Sequence, residues 1–138
     1  MSRDLKPVAM AAPAAAYAHG VHVPVGHELI FTSGVVPSRS DGTVPTNVGE
    51  QAQVVWQNIF SILAEGQMSA KDIVSVTTYV VFSDDSQELS SRLKLVMAAR
   101  DVALKGHLAA STLVTVPALA RPEWLMEISV IAARRPNS

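Results

Sequence analysis

A chain of 138 residues with 49% hydrophobic and 17% charged side chains, a formal charge of −1 and no cysteine fits one domain with a real core. That composition excludes a disordered chain, a disulfide framework and thiolate chemistry, and the scattered Lys and Arg give no footprint for nucleic acid or anionic lipid. It also supplies more apolar surface than a small monomer needs, which points to an oligomer.

The polar "SRDLKP" ahead of "MAAPAAA" leaves no room for the apolar core of a signal peptide, and no run approaches the ~20 apolar residues of a membrane span. A cytoplasmic protein is expected. "HGVHVPVGHE" alternates as a strand, and with Pro24 to Glu28 as the turn it predicts a hairpin with "LIFTSGVV", Leu29 to Val36. The loop "PSRSDGTVP" follows.

From Asn47 the period changes to that of a helix. Val48, Ala52, Val55, Trp56, Ile59, Ile62 and Leu63 form one apolar stripe, which puts Trp56 in a helix-to-sheet core. Asn47 is a cap, Glu50 stands where a capping box needs it, and Gly66 ends the helix. "DIVSVTTYVVF", Asp72 to Phe82, reads as a central strand. A second helix is predicted from Asp85 through Leu89, Leu93, Val96, Met97 and Leu104 to Gly106, with Glu88 completing another box-like start.

"STLVTV" and "WLMEISVIAA" close the chain as strands. In the last one the two-residue period puts Met126, Ile128, Val130 and Ala132 on a core face, and Leu125, Glu127, Ser129 and Ile131 on a mixed one. The order predicts a single α+β domain over 1–138, both helices on one face of a mixed sheet, with a second subunit covering the other face. Glu127 stands out because a carboxylate on a half-buried strand must stay wet, find a partner or change its pKa.

His19, His22 and His27 are close in sequence, but they straddle the hairpin without a carboxylate pair and lack the helical spacing of a zinc motif, so no metal is expected. The glycines match neither phosphate-loop nor dinucleotide spacing, and "TSG" lacks the glycine a nucleophile elbow needs two residues before its serine.

The strings "APAAAY", "FTSGVVP", "GTVPTNVGEQAQVVWQNIFSIL", "DIVSVTTYV" and "MEISVIAARR", in this order, resemble the RidA/YjgF family of reactive-intermediate deaminases from about Ala12 to Arg135. The family is also labelled endoribonuclease L-PSP or translation initiation inhibitor. The resemblance implies a chorismate-mutase-like α+β sandwich, a six-stranded mixed sheet with two helices on one face. It implies a homotrimer with small-molecule clefts between subunits and no cofactor. Known members hydrolyse enamines and imines such as 2-aminoacrylate to a 2-keto acid and ammonia.

By this resemblance Glu127 matches the glutamate that positions the attacking water, Tyr17 the site tyrosine, and Ser33 and Gly34 the Ser-Gly whose backbone approaches the ligand. The family's arginine, within "PARS", clamps the substrate carboxylate; here the stretch is "LAAS" and Ala110 takes its place. A guanidinium gives two charge-assisted hydrogen bonds to a carboxylate, and alanine gives none. Val35 replaces the family's glutamine, Ser91 its helix asparagine, and the loop before "LAAS" is about two residues longer, while Thr112 joins Ala110 among the expected lining residues. Arg100, Lys105 and His107 are candidates to restore the charge, against their plainer reading as solvated cations at a helix end.

Two functions are consistent with this: an imine or enamine hydrolase of altered specificity, or a trimeric binding or regulatory protein that kept the cleft and lost the reaction. Ribonuclease activity is disfavoured, since no basic groove or run of stacking aromatics is visible in the sequence.

Overall fold

The computed structural model describes residues 1–136. Six strands and two long helices occur in the order β1 (Arg3–Leu5), β2 (Gly20–His22), β3 (Glu28–Phe31), α1 (Val48–Glu65), β4 (Ile73–Val81), α2 (Ser86–Leu104), β5 (Ala110–Val116) and β6 (Met126–Arg134). A 3-10 turn, Ala70–Asp72, leads into β4.

β4 and β5 run parallel, joined by α2 as the crossover, and β6 lies antiparallel beside β4 with β3 outside it, giving a four-stranded mixed sheet in the order β3-β6-β4-β5. The expected six strands are present, yet β1 and β2 form a separate antiparallel pair rather than extending this sheet. Between the segment just before β2 and the edge strand β5 there is one parallel bridge, Ala18 to Ala110, with the Ala18 N–H donating to the Ala109 carbonyl at 3.0 Å. The Ala-rich segment before it, containing Pro13, has no β-branched side chains with which to lengthen the ladder.

The hairpin between His19 and Val36 does not form. β2 pairs with β1, while β3 pairs with β6 so that Ile30 stands beside Ala132 on the core face. Burial decides the partner: Ile30 packs against the core from β3's place at the sheet edge, and Gly20 and His22 offer no comparable apolar surface. The strand expected to reach Val36 also stops at Phe31. Phe31 pairs with Ile131 but Val35 bridges Ile128, so four steps on one strand match three on the other. The extra residue is a β-bulge at Thr32–Gly34. Thr32 pins it twice, its N–H donating to the Val130 carbonyl and its Oγ1 accepting from the Val130 N–H, both at 3.0 Å.

α1 follows its apolar stripe. Val48, Ala52, Val55, Trp56, Ile59 and Leu63 are all buried, whereas Ile62, at the stripe's margin, is exposed. Asn47 caps the helix by accepting from the Glu50 N–H at 2.8 Å, but the Glu50 carboxylate faces Arg39 instead of closing a capping box. Gln51, fully buried on α1, donates to the carbonyls of Pro45 and Glu123 and accepts from the Leu125 N–H, tying the loop before β6 to the helix layer. α2 is capped by Asp85, which accepts from the N–H groups of Gln87 and Glu88, and it ends with Lys105 at φ 47° and Gly106 at φ +84°.

Candidate functional site

Both helices lie on the face of the sheet that carries Met126, Ile128, Val130 and Ala132, all buried in one core with Val76 and Val80 of β4. The opposite face has no covering layer in the described chain. The β4–β6 and β4–β5 registers set its rows: Glu127 beside Tyr79 and Val114, Ser129 beside Thr77 and Thr112, and Ile131 beside Ser75 and Ala110. Phe31, in register with Ile131, is 68% exposed, and Leu29 and Val114 are also exposed.

Glu127 is half-buried on this face, at the end where β6 begins. The bulge carries the Gly34 backbone against its carboxylate so closely that a Cβ on Gly34 would lie 1.9 Å from Glu127 Oε2. Any side chain there would occupy the space the carboxylate fills. Among the described residues the carboxylate makes no hydrogen bond or ion pair, so its lone pairs are available to water or a ligand. Ser33, with its carbonyl accepting from Thr32 Oγ1 at 2.8 Å, and Gly34 are exposed beside it.

Val35 does not join this group. It is buried in the core, because the bulge returns it to the register and the face of Ile128. Ser91 is exposed on α2, on the far side of the sheet from Glu127. Thr112 is exposed in the middle row of the uncovered face, opposite Thr77.

Tyr17 and Ala110 form a second group at the other end of the sheet. Tyr17 precedes the residue that bridges to Ala110, its hydroxyl accepts from the Ala14 N–H at 3.3 Å, and its ring meets that of His19 edge-on at 6.1 Å. Four residues along β6 and two strands across separate the rows of Ala110 and Glu127, roughly 17 Å at ordinary strand spacings. No single small substrate spans that distance.

The cations considered as replacements for the lost arginine are engaged elsewhere, except one. Arg100 is not solvated: it is 6% exposed, donates to Asp101 Oδ1 and to Ser111 Oγ, and so lies under β5 on the helix side, opposite Ala110. His107 Nε2 bonds to the Ile73 carbonyl at 2.7 Å, and Lys105 is exposed at the end of α2. Among the described residues no three His, Cys, Asp or Glu side chains gather around a possible metal position, and no helix is long and apolar enough to cross a membrane. Tyr79 was absent from the sequence reading. Its parity with Thr77 put it on the mixed face, but only the β4–β6 register brings it beside Glu127.

Comparison with known proteins agrees with this architecture. The family model described as Endoribonuclease L-PSP matches residues 8–134. The chain belongs to this family. Its solved relatives of the RidA/YjgF group include YyfB of Yersinia pestis, a Rid-family protein of unknown function, which is similar over 96% of this chain and 98% of its own with a TM-score of 0.76 at 25% identity. The YjgF gene product of E. coli aligns over 90% of this chain and 94% of its own, with a TM-score of 0.68 at 30% identity. In sequence, the RutC family protein YjgH of E. coli is 35% identical over 52 residues, 38% of this chain and 40% of that relative. The match thus spans about two-fifths of the curated relative's length.

Proposed function

We propose that the protein is a homotrimeric hydrolase of small imines or enamines with a substrate preference shifted away from carboxylated compounds. The observation that carries this reading is the unpartnered Glu127 carboxylate packed against the Gly34 backbone on an otherwise uncovered sheet face. Glu127 holds a water, takes one of its protons as oxygen adds to the C=N carbon, and the proton passes to nitrogen; collapse of the resulting carbinolamine gives a carbonyl compound and ammonia. Since Tyr17 and Glu127 lie at opposite ends of one sheet, each cleft draws Glu127 from one copy and Tyr17 from its neighbour, the hydroxyl serving as hydrogen-bond donor. Ala110 lies on the Tyr17 side, and alanine supplies no guanidinium there to clamp a substrate carboxylate.

The same missing cation supports a second reading, a trimeric binding or regulatory protein without turnover. The deciding experiment measures hydrolysis of 2-iminopropionate, generated in situ by an amino-acid oxidase, and of a neutral imine, each with the wild-type protein and with Glu127→Gln. Turnover of the neutral imine is expected, falling about 100-fold or more in Glu127→Gln, with little acceleration for the carboxylated one. Turnover that survives Glu127→Gln overturns the role of the carboxylate, and no turnover of either imine favours the binding protein. A monomeric mass by light scattering at micromolar concentration overturns the shared cleft.

A further inference from the structure

Four of the eleven Lys and Arg residues, scattered along the sequence, converge at one place. Where β4 begins, β6 finishes and the loop before β5 crosses, a cleft of about 940 Å³ opens beneath the residues of β1. Its wall brings together Lys6, Lys71, Arg134 and Arg135, against only two carboxylates, Asp4 and Asp72. The whole chain carries a formal charge of −1, so this end is cationic at the expense of the rest. Asp72 is also committed, accepting from the Ser69 N–H at 2.9 Å.

Arg134 donates to the Gln67 carbonyl, but the side chains of Lys6, Lys71 and Arg135 have neither ion pair nor hydrogen bond among the described residues. Two polar atoms within the wall residues, His27 Nδ1 and Ser2 Oγ, are buried without a partner, so its hydrogen-bonding capacity is not satisfied internally. Four cations against two carboxylates on a concave surface focus a positive field into the space between them. A bound anion would gain charge-assisted hydrogen bonds from the unpaired Lys6, Lys71 and Arg135. The volume falls within the range of small-molecule sites.

We propose that this cleft binds a compact, multiply charged anion, of the phosphate-ester or polycarboxylate kind. It lies at the opposite end of β6 from Glu127, and it shares Asp4, Lys6 and Leu108 with the smaller pocket beside Tyr17. Lys71 and Arg135 belong to the cleft alone and are exposed, so their replacement tests it without touching either half of the hydrolytic site.

The test is calorimetric titration of the full chain at low ionic strength with pyrophosphate, with citrate, and with acetate as a monovalent control. Saturable binding of one anion per chain is expected for pyrophosphate or citrate, the stronger of the two naming the ligand class. Binding should weaken tenfold or more in Lys71→Ala/Arg135→Ala, whose fold is checked by circular dichroism, and should weaken in the wild type as salt rises. The proposal is overturned if neither polyanion saturates, if acetate binds as well, or if the double variant binds as tightly as the wild type. Displacement of bound pyrophosphate by a short single-stranded RNA at lower concentration would replace a small anion by nucleic acid as the occupant.

Discussion

The two faces of the four-stranded sheet are made by the same strands, residue by alternate residue, and they differ in almost everything else. On β6, Met126, Ile128, Val130 and Ala132 are buried under the helices, while Glu127, Ser129 and Ile131 remain half-exposed on the other side. The covered face is determined by packing, since every methylene there has a neighbour and removing one leaves a void. The uncovered face mixes a carboxylate, hydroxyls and exposed apolar groups such as Phe31, a combination that packing within one chain does not require. Those residue types suit the ligand and the second copy proposed above.

That contrast breaks most severely if the covered side proves tolerant. Trp56, 3% exposed and in contact with Phe60, should cost on the order of 3 to 5 kcal/mol when replaced by alanine. Urea denaturation measures it, and a loss below about 1 kcal/mol would mean that the helix layer is not the source of stability described above.

The next effect is large in function and small in stability. In Gly34→Ala the new methyl collides with the far end of the Glu127 side chain, which can rotate away, so the fold should lose no more than about 1 kcal/mol. The displaced carboxylate should lower turnover of the neutral imine about 100-fold. Equal turnover in variant and wild type would show that the carboxylate position is not critical.

Phe31→Asp separates assembly from folding. A charge at an exposed position should change the unfolding free energy of the isolated chain by under about 0.5 kcal/mol, yet it should shift the sedimenting mass towards the 14.7 kDa of one copy. An unchanged mass would place the subunit contact away from this face.

The smallest effect belongs to neither face. Glu88 is held below its ordinary carboxylate pKa by the hydrogen bond from Arg92, at 2.7 Å, then by that from Ser83 and by the Arg92 charge. A lowered pKa in the folded state contributes stability that is present at neutral pH and lost as pH falls through the lowered value. Acid titration of stability should therefore be slightly steeper for the wild type than for Glu88→Gln; the reverse order would exclude the network as its source.

Much of this fold was legible in the sequence where the signal is local. Asn47 and Gly66 mark the ends of α1, and the parity of β6 assigns its faces residue by residue, because capping and alternation act over a few positions. The pairing of β3 was not legible, nor the split of six strands into two sheets, since both depend on which distant strand offers the better apolar surface. At the site, Glu127 was conspicuous as a carboxylate on an apolar strand, whereas its apposition to Gly34 follows from a one-residue bulge. The same bulge took Val35 out of the expected lining and into the core. An arginine near a helix end is usually solvated, and the burial of Arg100 follows from its packing beneath β5, where it reaches Ser111.

In the proposed trimer, the separation of Tyr17 and Glu127 on one chain would give the clefts a combinatorial character. Copies carrying Glu127→Gln and copies carrying Tyr17→Phe should each be defective alone, whereas random mixed trimers of that design would join an intact Glu127 to an intact Tyr17 in about one cleft in four. Two inactive alleles expressed together would thus complement each other at the level of the assembled protein.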